Sequence, residues 1–224
     1  MYEDNRENEY IAIIGDIIDS RNLENRDEVQ RQLKKLLDLI NEEYDDDIAA
    51  KFLITLGDEF QGLLHSHENI INILNKIEAY MYPVKIRFGI GIGTVNTGID
   101  YNKSNEIDGE AYHIARRMIE NVEKNMNGYG ESSSNVMIDF SGNRTVKSEL
   151  INAIFSLRYV VKSKWTKRQS ELISVYEMNK CNQKKTAECL SISQSTVSRS
   201  LKKANYFSIR MADDVLKKYL NGGE

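Results

Sequence analysis

Apolar residues recur along this chain with two different periods, and the switches between them lay out its elements. Tyr10 to Ile14 is almost wholly apolar and rich in β-branched residues, the pattern of a central strand covered on both faces, and it stops at Gly15-Asp16. Val29, Leu33, Leu36, Leu37 and Ile40 then fall at helical spacing, which predicts an amphipathic helix of about four turns. Phe52 to Leu56 repeats the strand pattern and stops at Gly57-Asp58. With the apolar stretch ending at Leu63-Leu64 it predicts a hairpin whose tip carries Asp58 and Glu59. Ser66 reads as the cap of a second helix with Ile70, Ile73, Leu74 and Ile77 on one face, stopped by Pro83, the sole proline. Residues 84–93 alternate Val84, Ile86, Phe88, Ile90 and Ile92 with Lys85, Arg87, Gly89, Gly91 and Gly93, a strand whose glycines share one face. A helix lying directly on the sheet accounts for that face better than a closely approaching ligand. Asp108 opens a third helix with Ala111, Ile114, Ala115, Met118, Ile119 and Val122 as its buried stripe, while Glu110, His113 and Arg117 lie on a different side and can point together into a cleft. A Gly/Ser/Asn-rich loop from Gly128 to Asn135 leads to a last short strand, Val136 to Phe140. Strand, helix, hairpin, helix, strand, helix, strand describes an α/β (α+β) sandwich of the ferredoxin-like or palm type. A Rossmann fold fits less well, because no Gly-x-Gly-x-x-Gly or Walker sequence opens a helix after the first strand.

The remainder of the chain has a different character. Leu150 to Val161 reads as a connecting helix, and Thr166 can cap a helix carrying Leu172, Ile173, Val175, Tyr176 and Met178. A short helix over Gln183–Leu190, a turn at Ser191-Ile192-Ser193 and a further helix over Gln194–Lys203 follow, with Ala187, Leu190, Ile192, Val197 and Leu201 as a small core. Charge follows the same division. Residues 1–140 hold 14 Lys+Arg against 27 Asp+Glu, whereas residues 141–224 hold 16 against 7, so a net −13 is followed by a net +9 that suits a polyanion. At 224 residues and 41% apolar content two domains are expected, over 1–145 and 146–224. No stretch approaches the roughly 20 apolar residues that span a bilayer, and Met1 to Glu9 is acidic and polar instead of signal-like, so a cytoplasmic protein without a membrane partner is expected. Cys181 and Cys189 have no histidine near them and read as small buried side chains.

Candidate chemistry lies at the two strand ends. A buried strand gains nothing by ending in an acid unless that end reaches water, a donor or a cation. If the strands are neighbours, Asp16 and Asp58 sit side by side and repel unless divalent cations bridge them, and magnesium suits such a pair because it takes one or two carboxylates beside water and phosphate. Gly-Asp is also a common turn dipeptide, so either strand end by itself could be no more than a turn. Asp19 and Glu59 flank the pair and could support it from outside or be exposed acids. His65 and His67 have a spacing that can hold a metal on a strand, but lack a third ligand nearby and read as a solvated helix start.

These residues resemble the palm domain of class III nucleotidyl cyclases and their GGDEF relatives, and still more closely the SatD-type bacterial proteins that join such a domain to a helix-turn-helix. The resemblance matches Asp16 and the Ile17 carbonyl to a first-strand metal site and Asp58 to the hairpin aspartate. It matches Arg87 to Gly93 to an Arg-x-Gly-x-x-x-Gly strand, and Gly109 to Arg117 to a Gly-x-x-Val-Asn-x-Ala-x-Arg helix in which Arg117 is the arginine that stabilises the transition state across a dimer interface. Together the motifs span roughly residues 10–120. The base-reading lysine is replaced by Ile54 and the ribose-orienting asparagine by His113, while Glu106 stands at the acidic base-reading position. The metal half of the site is therefore kept and the base-reading half altered.

What the resemblance implies is a metal-dependent nucleotide-binding palm. Two Mg2+ or Mn2+ ions roughly 3.5–4 Å apart would sit on Asp16 and Asp58. Backbone amides of Ile17 to Arg21, with Ser20 and Arg21, would cradle the triphosphate of ATP or GTP where the chain approaches the first helix. The back third resembles a sigma region-four-like helix-turn-helix, whose second helix would offer Gln194, Ser195, Thr196, Ser198 and Arg199 to double-stranded DNA, with Lys184, Lys185, Lys202 and Lys203 near phosphates; a helical bundle with a solvated basic face is the plainer alternative. Three functions follow as expectations. One is a homodimeric DNA-binding transcriptional regulator that binds a purine triphosphate or a cyclic nucleotide. The second is an active nucleotidyl cyclase or another palm-fold purine triphosphate enzyme, and the third a catalytically degenerate palm serving as a dimerisation and interaction module.

Overall fold

The computed structural model describes residues 9–129, 134–142 and 145–222. Their elements run β1 (Tyr10–Ile17), α1 (Arg26–Glu43), β2 (Ile48–Leu56), β3 (Glu59–Leu64), α2 (Ile70–Met81), β4 (Ile86–Gly93), α3 (Glu110–Tyr129), β5 (Val136–Phe140), α4 (Thr145–Ser163), α5 (Lys167–Met178), α6 (Gln183–Cys189), α7 (Gln194–Lys203) and α8 (Tyr206–Leu220). The strands form one sheet in the order β2-β3-β1-β4-β5. β1 lies antiparallel to both β3 and β4, and β5 adds in parallel on β4. The alternation of strands and helices through β5 is the one the hydrophobic pattern predicts, and the sheet topology interleaves two split β-α-β units.

Each sheet face has its own cover. Ile11, Ile13, Phe60, Phe88 and Ile90 share a core with Leu33, Leu36 and Ile40 of α1 and Ile73, Leu74 and Ile77 of α2. The opposite face presents Ala12, Ile14 and the bare backbone of Gly89 and Gly91, against which α3 lays Ala111, Ala115 and Ile119. A Cβ at Gly89 or Gly91 would collide with the carbonyl of Ala115 or of Ala111, so the glycine face is a seat for a helix. The hairpin tip needs its glycine for another reason: Gly57 has φ +63°, a left-handed conformation.

The basic third contributes to this core as well as building its own. α4 packs on β5 and buries Ile151 and Phe155, and α8, which the sequence reading passed over, adds Leu216 and Leu220 to the same cluster. Between α4 and α8, Arg158 Nε lies 2.6 Å from Asp213 Oδ1, both side chains almost fully buried, and Asn75 of α2 joins them through hydrogen bonds to Arg158 and Asp213. A second core gathers Leu172, Ile173 and Tyr176 of α5 with Ala187, Val197, Leu201 and Tyr206, against which Leu190 and Ile192 pack. Thr166 caps α5 in a capping box with Gln169, Asn182 caps α6 and Ser193 caps α7.

Several local expectations change. β1 runs three residues past Ile14, so Asp16 is within the strand. α2 begins at Ile70 after Asn69; the Ser66 hydroxyl instead accepts a bond from Glu68 N. Gly128 belongs to α3, while residues 130–133 of the expected loop, like residues 1–8 of the acidic start, lie outside the described residues. Cys189 is exposed and Cys181 half-buried, because α6 turns its alanine and threonine inward and leaves Cys189 on its outer side. Met178 is exposed at the last turn of α5.

Candidate functional site

Register decides what meets what at the end of β1. Asp16 stands directly opposite Glu59 on β3 and directly opposite Arg87 on β4. Directly opposed residues share a face, so an acid, an acid and a base line up across the sheet on the side that α3 covers. α3 extends the row at both ends: Arg116 clamps Glu59 by donating from both Nη1 and Nη2, and Glu123 approaches Arg87 Nη2 at 3.3 Å. The order Arg116, Glu59, Asp16, Arg87, Glu123 leaves one pair of acids side by side, Glu59 and Asp16.

Asp16 carries the strain of that arrangement. Arg87 donates to its Oδ2 from Nε at 2.8 Å and approaches the same atom through Nη2 at 2.5 Å. Burial nevertheless pushes the Asp16 carboxyl above its ordinary value of 3.8, outweighing the Arg87 hydrogen bond and charge, and the charges of Asp58 and Glu59 push the same way. A further positive charge beside Asp16 would relieve it.

Asp58 supplies the second carboxylate. The hairpin tip is tied to α1 by a bond from Gln30 Nε2 to the Gly57 carbonyl at 2.8 Å, and Arg26 lies 3.9 Å from Asp58 Oδ1. Asp16 and Asp58 line one cleft of about 700 Å³ together with Ser20, Arg21, Lys85 and Arg87, which bring hydroxyl and cationic groups to the same space. Asp19 and Ile17 also line it; the Ile17 side chain is buried in the core, so its backbone is what it could offer a ligand. The donor set of two carboxylates beside cations fits a hard divalent ion that completes its shell with water and phosphate oxygens, although Arg87 already occupies one oxygen of Asp16. Among the described residues, the cleft included, no group of three or more His, Cys, Asp or Glu gathers that could hold a metal ion without water or a ligand completing the shell. His65 is exposed after β3, its backbone N–H bonded to the Asp47 carbonyl.

Other expected residues lie away from the cleft. Glu59 is held by Arg116 and by the Thr55 hydroxyl at 3.1 Å, so it does not back the Asp16–Asp58 pair. Glu110, His113 and Arg117 do not converge in a cleft: all three are exposed, and His113 Nε2 lies 3.2 Å from Asp108 Oδ1. Arg117 bridges to Asp139 on β5 at 2.8 Å, and Glu106 pairs with Lys103 at 3.0 Å. The amides after β1 do not run straight into a helix. Ile18 N donates to the Lys85 carbonyl, Asp19 adopts φ 55° and a 3-10 turn over Ser20–Asn22 intervenes before α1 begins at Arg26.

A second cavity of about 380 Å³ lies between α2, α5 and α8 and shares Ile18, Lys85 and Tyr159 with the cleft. Its wall is mostly apolar and includes Tyr82, Trp165 and Tyr206. Sequence reasoning missed Lys85, Arg116, Glu123 and this cavity. Only the strand register could have paired Arg87 with Asp16, and the i, i+7 spacing of Arg116 and Glu123 was the one signal that both α3 charges face the same sheet end.

On α6 and α7, Lys184, Lys185, Gln194, Ser195, Arg199, Lys202 and Lys203 are exposed, whereas Thr196 and Ser198 are half-buried. Thr196 is engaged with the Ser193 cap, and Arg199 folds back to the Ser195 carbonyl at 3.3 Å.

The fold and the cleft define a mixed α/β protein with a five-stranded sheet, an acidic pair at one sheet end and a helical, basic carboxyl-terminal third. The chain belongs to the SatD family, whose model matches residues 10–213. Among solved structures it is similar to a bacterial light-regulated adenylyl cyclase, 17% identical over 58% of this chain and 75% of that chain, with a TM-score of 0.38. A search of curated proteins finds no match. No helix among the described residues is long and apolar enough to cross a membrane.

Proposed function

We propose that this protein is a metal-assisted nucleotide-binding regulator that reads DNA through α6 and α7. The observation that carries the reading is the meeting of Asp16 and Asp58 with Arg21, Lys85 and Arg87 in one cleft. Carboxylates and cations in one polar space suit the phosphates of a nucleotide chelated to a divalent ion, the cations taking phosphate oxygens and the carboxylates the ion. A magnesium-like ion would be held by Asp16, Asp58 and the Ile17 carbonyl and would screen phosphate charge. Ser20 and Arg21 at the 3-10 turn position the phosphates, and the adjoining cavity has the size and apolar wall for the base.

Binding without turnover is the form of the reading the side chains favour. Arg117, expected to face the reacting phosphate, is engaged with Asp139, and His113, at the ribose-orienting position, with Asp108. Exposed lysines on α6 and α7, with Gln194 and Ser195 at the start of α7, are the groups that contact phosphates and base edges in helix-turn-helix recognition.

Calorimetry with ATP and GTP in magnesium or manganese tests the cleft. The expected result is binding that weakens at least tenfold in Asp58→Ala, with unchanged nucleotide recovered by mass analysis after incubation. No binding, or binding indifferent to Asp58→Ala and Arg21→Ala, discards the site; a 3′,5′-cyclic or ring-opened product replaces the sensor with an enzyme. For DNA, a duplex-binding series in rising salt is expected to lose affinity steeply, and Lys184→Ala/Lys185→Ala to weaken it further.

A further inference from the structure

We propose that the outward faces of α4 and α8 form the surface through which two copies of this chain associate. The two helices lie side by side: Lys147 near the start of α4 sits over the ring of Tyr219 near the end of α8, and Arg158 further along α4 meets Asp213 earlier in α8, so they run antiparallel. Each turns one stripe inward to the same core, Ile151 and Phe155 on α4 beside β5 and Leu216 and Leu220 on α8 beside α4 and α2. The opposite stripes ought to be polar on a helix that faces water. They are not.

On α8, Phe207, Met211, Val215 and Tyr219 recur every four residues and are 47%, 67%, 53% and 39% exposed. On α4, Val146, Leu150 and Leu157 are 69%, 57% and 68% exposed. At about 100 Å² apiece these side chains offer roughly 700 Å² of apolar surface, more than the 300–600 Å² of the largest patch on a typical monomer and close to the 800 Å² per partner of a stable interface.

A second copy fits this face better than an unrelated partner, because a two-fold contact requires the surface to complement itself. The apolar stripe on α8 is bordered by Asp214 and Lys218, one turn apart and both exposed. Packing α8 antiparallel against its own copy, with the two-fold between Met211 and Val215, sets Phe207 against Tyr219 and Met211 against Val215 of the second copy, so the stripe complements itself, and the two α4 helices flank the pair as in a four-helix bundle. The inference does not depend on the nucleotide reading.

Sedimentation or light scattering of the full chain over a concentration series tests it. A dimer is expected, and Leu157→Glu and Met211→Glu, singly, are each expected to raise the dissociation constant at least tenfold, with the double variant monomeric and helical content and melting temperature retained, since both side chains are solvent-facing. A wild-type chain that remains monomeric at about 100 μM, or a dimer unmoved by the double variant, overturns the proposal. Should the double variant lose its fold, Val215→Lys and Leu150→Lys supply the same reading, and the same two outcomes count against it.

Discussion

Asp213 and Arg158 show what a buried charge does in this protein. Both are nearly inaccessible, and Asn75 accepts from Arg158 Nη2 and donates to Asp213 Oδ2, so the pair links α2, α4 and α8 at one point. Asp213→Ala leaves the guanidinium buried without its counter-charge and is expected to cost about 3–5 kcal/mol in chemical denaturation, whereas Arg158→Met with Asp213→Leu is expected to recover most of that loss. Glu78 is half-buried, with Lys162 at 2.5 Å and the Asn135 amide at 2.7 Å. Burial alone would raise its carboxyl, but Lys162, Arg158 and Asn135 together hold it below its ordinary value of 4.5. A depressed carboxylate stabilises fully above the unfolded-state value and loses that contribution as pH falls below it. Glu78→Gln is therefore expected to lower the melting temperature at neutral pH. The gap to wild type should close below about pH 4.

At the scale of elements, the contact between β4 and α3 fixes the site. Gly89 and Gly91 let α3 lie directly on the sheet, and only at that separation can Arg116 and Glu123 reach the ends of the charged row at Glu59 and Arg87. Gly91→Ala places a methyl against the backbone of Ala111 and Ala115, which no rotamer relieves. We expect a loss of about 3 kcal/mol, read by thermal melting. Asn125→Ala, a change in a half-buried side chain at the far end of the same helix, is expected to move stability far less. The predicted helix over Ala111 to Val122 was legible because a stripe of small and branched residues at helical spacing matched a glycine-bearing strand. The destination of Arg117 was not, since spacing assigns a residue to a helix face and says nothing of the strand beneath, here β5 with Asp139.

For the molecule as a whole, the cavity beside the cleft has walls from both the sheet side, at Val84 and Ile86, and the helical third, at Trp165 and Ile173. Trp165 is the only tryptophan, and its Nε1 bonds to the Ala204 carbonyl where α7 ends. If a nucleotide base enters there, tryptophan fluorescence should change on titration with ATP or GTP but not with inorganic tripolyphosphate, and DNA affinity should shift at least threefold when the nucleotide is present. Equal DNA affinity with and without saturating nucleotide would separate the two activities. By itself the sequence determined the order of strands and helices through β5, the helix seat at Gly89 and Gly91, the Thr166 cap with the helices from there to Lys203, and the acids at the hairpin tip, because period, glycine placement and capping are local properties of the chain. Only the tertiary structure decided that Asp16 faces Arg87 and Glu59, that Arg117 and His113 lie away from the cleft, and that α4 and α8 add to the core of the sheet domain. Each of those is set by register or by packing between distant segments, and no local pattern encodes them.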